Sequence, residues 1–96
     1  MLTDVEITEL IDCGDLESAL SALNDRIVAD TGDEQAWFLR GKVNWKRGNH
    51  SLAISDYEHA VAINENSNAR HALEMSRDII NFFNPQTKLM SADSHI

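Results

Sequence analysis

Displaced by 34 residues, the chain lies over itself: Gly14 falls on Gly48, Asp15 on Asn49, Ala19 on Ala53, Leu23 on Tyr57 and Asp30 on Asn64. A fixed period of this length, with small residues recurring where two helices must approach closely, is what an array of helical repeats requires. It predicts an all-α chain of antiparallel helix-turn-helix pairs. In 96 residues there is room for one small domain of this kind.

Local signals place the helices. Thr3 and Glu6 stand at capping-box spacing and open a first helix. Its apolar positions include Leu2, Val5, Ile7, Leu10 and Ile11, and Gly14 supplies the left-handed C-terminal residue. Asp15 caps a second helix with an apolar stripe from Leu16 through Leu23 to Ile27 and Val28. The third starts at Asp33 or Glu34 and is apolar around much of its circumference, which predicts cover on more than one side. Gly48 ends it and Asn49 caps a fourth, carrying Leu52, Ala53, Ile54, Tyr57, Ala60, Val61 and Ile63. After a break at 64–67, a fifth runs from about Asn68 to Phe83, where Asn84-Pro85 stops it. No period continues beyond, so 85–96 reads as a flexible tail.

Within the middle unit, Trp37, Gly41, Gly48, Ala53, Tyr57 and Ala60 each sit at their own offset. This set resembles the tetratricopeptide repeat, with Arg40, Asn44 and Glu65 departing from the family's Leu, Tyr and Pro. Residues 1–33 resemble a weaker copy, and 68–83 look like the solvating helix that follows a final repeat. The resemblance implies a short right-handed α-solenoid of about five helices, spanning 1–84.

The resemblance also implies a scaffold that binds a peptide or protein segment on a concave face lined by the first helix of each repeat. The implied peptide-binding positions are Gln35, Phe38, Lys42, Trp45 and Lys46, with Ala69, Ala72, Ser76 and Ile79 from the last helix. Spacing independently puts Phe38, Lys42 and Trp45 on one helix face: an aromatic platform with a cation beside it, suited to an apolar anchor and a carboxylate. The alternative is that both aromatics simply pack against neighbouring helices. A subset of the family grips chaperone tails with Lys, Asn and Arg at set positions. Here those positions hold Asp4, Thr8, Leu39, Ala69 and Leu73, so that chemistry is not expected.

Charge narrows the partners. The net charge is −8. Residues 1–34 carry acids from Asp4 to Glu34 against Arg26 alone, which argues against nucleic acid. That half reads either as a solvated outer face or as a docking surface for a basic partner. No apolar run approaches the ~18 residues of a membrane span, and the acidic N-terminus is unlike a secretory signal, so a cytoplasmic protein is expected. Lone Cys13 agrees with a reducing compartment. His50, His59, His71 and His95 lack metal-site spacing, and no glycine-rich phosphate loop occurs, so neither cofactor, metal nor enzymatic activity is expected. Two functions follow: a protein-binding adaptor, or a self-assembly module that completes its stack as a homodimer. The tail, ending at Ile96, could also dock in the groove.

Overall fold

The structure is a computed structural model that describes residues 1–83; the expected tail, and its docking, lie outside these residues. Five helices follow in order: α1 (Asp4–Asp12), α2 (Leu16–Ala29), α3 (Glu34–Lys46), α4 (His50–Ile63) and α5 (Ala69–Phe83). No strand occurs among the described residues. None of these helices is long and apolar enough to cross a membrane.

The period reappears in the backbone. At the end of α1, Gly14 adopts φ 88° and the amide of Asp15 donates to Leu10 O at 2.8 Å. At the end of α3, Gly48 adopts φ 85° and the amide of Asn49 donates to Asn44 O at 2.9 Å. Both helices therefore close with the same six-residue turn, in which a glycine takes the left-handed conformation that a Cβ penalises. The N-termini are less alike. Thr3 and Glu6 form the reciprocal capping box on α1, and Asp15 accepts from the amide of Ser18 on α2. Asn49 occupies the capping position of α4 without any side-chain bond, so its expected capping role is corrected: only its place in the turn is used.

Successive helices pack on one another, and α1 also touches α3. Two clusters form the core. Ile7, Ile11, Ala19, Leu23, Ile27, Ala36, Leu39 and Val43 bind α1, α2 and α3 together. Ala53, Tyr57, Ala60, Ala69 and Leu73 join α4 to α5. Trp37 and Phe38 pack against both clusters, which is why α3 is apolar around so much of its circumference. Contact between α3 and α4 is close at Gly41, where an added Cβ would stand 2.6 Å from Tyr57 Cδ1. Any side chain there would collide with a buried ring.

Several residues expected in apolar stripes do not enter the core. Val28 is 84% exposed and Val5 69%, with Leu52 and Ile63 also exposed. Each stands on the flank of a helix that no neighbour covers, since spacing identifies a stripe but not its edges.

Polar groups settle the angles between helices. Arg26 of α2 donates from Nε and Nη2 to the Asp33 carboxylate at 3.0 Å each, and from Nη1 to Asp4. It thereby ties the start of α1 to the N-cap of α3. Burial works against its charge, but its hydrogen bonds to Asp4 and Asp33, with their negative charges, outweigh that and raise its pKa.

Candidate functional site

The face formed by α3 and α5 is built on a single serine. Ser67, buried in the turn before α5, donates its hydroxyl to the Glu34 carboxylate at the start of α3. The same oxygen accepts from the amide of Ala69 at 3.1 Å, so one side chain caps α5 and pins its first turn to α3. The two helices then diverge into clefts that share Ala72 and Met75. One, of about 770 Å³, reaches from Phe38 to Arg70. The other, of about 180 Å³, lies among Trp45, Tyr57, Ser76 and Ile79.

Of the residues expected to bind peptide, Phe38 and Trp45 are each half-buried and border these clefts. Neither is buried outright, and neither offers a free ring. Phe38 lies 6.1 Å from the Tyr57 ring, while Trp45 stacks on His50 at 4.1 Å. Lys42 reaches back over Phe38, its Nζ 5.6 Å from the ring centre. Lys46 is exposed one turn further on. Gln35 is half-buried and borders neither cleft. Ser76 is 5% exposed and can serve only as floor, and Ala69 is wholly in the core. Both point inward because they share the face of α5 that carries Leu73. Exposure passes instead to Met75 and Ile79, on the adjoining stripe.

Ion pairing gives this face its sign. Arg26, Arg40, Arg47 and Arg77 each meet a carboxylate. Among the described residues Lys42, Lys46 and Arg70 meet none; Arg70 lines the larger cleft and Lys42 lies over Phe38 at its edge. Glu65 and Glu74, which meet no cation among the described residues, line the same cleft beside Arg70. Burial, and then the neighbouring Asp56 charge, push the Tyr57 hydroxyl up to about 12, so it is neutral at the base of the smaller cleft.

No family model matches this chain, and no curated protein does. Among solved structures, the solution NMR structure of Bacteroides fragilis protein BF1650 resembles it with a TM-score of 0.77 and 34% identity. The likeness covers 93% of this chain and 90% of that one. The two chains belong to one family.

A second cleft, which the sequence reading missed, lies on the opposite side of α3. Arg40 donates from Nε and Nη2 to the carboxylate of buried Asp56, at 3.1 and 2.8 Å. Asn44 adds a bond to the same group at 2.7 Å, and Arg40 Nη1 reaches Asn24 of α2 at 3.1 Å. Above them Trp37 is sandwiched between the Arg40 guanidinium, 4.8 Å from its ring centre, and His59, 4.3 Å away and nearly parallel. The signal was visible: Arg40 and Asn44 are two of the positions that depart from the repeat pattern, one turn apart on α3. Their shared partner on α4 was not. Among the described residues no group of three His, Cys, Asp or Glu could hold a metal ion.

Proposed function

We propose that this protein is a non-enzymatic interaction module of the tetratricopeptide-repeat kind, binding a peptide or protein segment on the face between α3 and α5. The observation that carries the reading is the coincidence there of half-buried aromatics with cations that no carboxylate among the described residues pairs with. In a chain of net charge −8, Arg70 lines the larger cleft and Lys42 lies over Phe38, which borders it. A segment with an apolar anchor for Ala72, Met75 and Ile79, and a carboxylate near Lys42 and Lys46, matches that surface. A reducing compartment such as the cytoplasm suits the exposed free thiol of Cys13.

The test is a titration of the full chain with peptides bearing one Leu or Phe anchor followed by Asp and Glu, against Lys-bearing twins, read by fluorescence anisotropy. The acidic set should bind preferentially. Lys42→Glu should weaken it about tenfold and Trp45→Ala by about 2 kcal/mol. Binding of the acidic set that Lys42→Glu leaves unchanged would defeat the proposal.

A homodimer is the second reading, and one observation favours it. Met75, Ile79 and Phe82 recur along one stripe of α5 and are 50%, 39% and 76% exposed. Light scattering separates the readings: a dimer that Ile79→Glu dissociates would assign this stripe to self-association.

A further inference from the structure

The 34-residue period gives the cleft around Arg40 a counterpart at the N-terminal end of the stack. Arg40, Asn44, Asp56 and His59 border the inner cleft, and a helix, α2, lays Leu20 and Asn24 into it. The residues 34 positions earlier are Glu6, Leu10, Ala22 and Asp25. They line two adjoining clefts of about 520 and 420 Å³ that share Leu2 and Glu6. No helix of this chain covers them among the described residues.

We propose that this outer furrow between α1 and α2 seats a basic amphipathic helix of a partner protein. The inner furrow is the template. There the occupying helix presents an apolar residue, Leu20, and one turn later a polar one, Asn24, which accepts from Arg40. In the outer furrow the floor is more apolar, because Leu10 replaces Asn44 and Ala22 replaces Asp56. The guanidinium that would meet an acceptor is replaced by the Glu6 carboxylate. An occupant therefore needs an apolar side chain in the place of Leu20 and a cation in the place of Asn24.

The rim completes the match. Glu9 and Asp25 are exposed and have no cation partner among the described residues, unlike Asp4, Asp33 and Glu17 nearby, which pair with Arg26 or Arg47. A second copy would bring the same carboxylates against themselves, so an isologous pairing here is opposed by charge. Ser18 and Ser21 are small enough to let a helix approach the furrow closely.

The experiment uses the full chain and a synthetic helical peptide of about four turns with Leu and Lys one turn apart, against its Glu-for-Lys twin, read by fluorescence anisotropy. The basic peptide should bind saturably at a site that Ser21→Trp removes, whereas any binding of the acidic twin should survive Ser21→Trp. Glu9→Lys or Asp25→Lys should weaken binding about tenfold. Ser21→Trp, which fills the furrow without changing its charge, should abolish it. Both sites are exposed, and circular dichroism confirms that the variants stay helical. Lys42→Glu should leave this binding unchanged, which separates it from the α3–α5 face. No binding of the basic peptide, survival of its binding in Ser21→Trp, loss of the acidic twin's binding in Ser21→Trp, or a dimer that Ser21→Trp dissociates would each overturn the proposal.

Discussion

The two furrows of this molecule have one backbone plan and opposite chemistry. In the inner one, Arg40, Asn44 and Asp56 form a closed polar clamp beneath α2. In the outer one, Glu6, Leu10 and Ala22 occupy the same places with no helix of the described residues above them. A carboxylate can be buried at Asp56 because three donors from α3 reach it, and no buried side-chain polar atom among the described residues is left without a partner. The comparison teaches that a repeat's period dictates where helices meet, while the side chains at the meeting decide what each junction accepts.

The largest effect should come from breaking the inner clamp. Asp56→Ala removes the shared acceptor of Arg40 and Asn44 and should cost about 3 kcal/mol, seen as a lower urea midpoint with an unchanged slope. The matching change in the outer furrow, Ala22→Asp, puts a carboxylate at a partly buried position that opens to solvent on one side and should cost less, about 1 kcal/mol. Similar losses at both positions would mean that the two furrows are equally closed.

The next contrast is between Tyr57 and its counterpart Leu23. Tyr57 keeps its proton in the folded state up to about 12, against an ordinary value of 10. Its folded pKa is raised, so the associated stability is complete below pH 10 and is lost as pH rises from 10 towards 12. Denaturant midpoints should fall across that window, and Tyr57→Phe should remove the dependence while leaving stability at pH 7 almost unaltered.

The smallest effect separates two helix starts that are 34 residues apart. Asp15 accepts from the amide of Ser18 at 3.2 Å, whereas Asn49 makes no capping bond. Thermal unfolding should therefore register about 1 kcal/mol for Asp15→Ala and close to nothing for Asn49→Ala. An equal cost would show that Asn49 caps α4 in solution.

Much of this was legible in the residues. Gly14 and Gly48 mark helix ends because only glycine takes their positive φ without penalty, and Thr3 and Glu6 mark a start because their bonds are local in the chain. The 34-residue offset between Gly14 and Gly48 yielded the helix pairs, and helical spacing placed Phe38, Lys42 and Trp45 on one face. These are short-range facts, settled within a turn or two of backbone.

What lies beyond that range was decided only when the helices packed. Sequence spacing could not tell that Ser76 faces inward while Met75 and Ile79 face out, since a stripe on α5 has no inside until α3 and α4 are beside it. Nor could it pair Arg40 with Asp56, or Ser67 with Glu34, because those partners come from different helices. The sign of each face has the same origin. Composition records an acidic chain, but which cations are neutralised and which stay available beside a cleft depends on distances of a few ångströms across helix junctions. The repeat was written in the chain; the contrast between its closed and open furrows belongs to the fold.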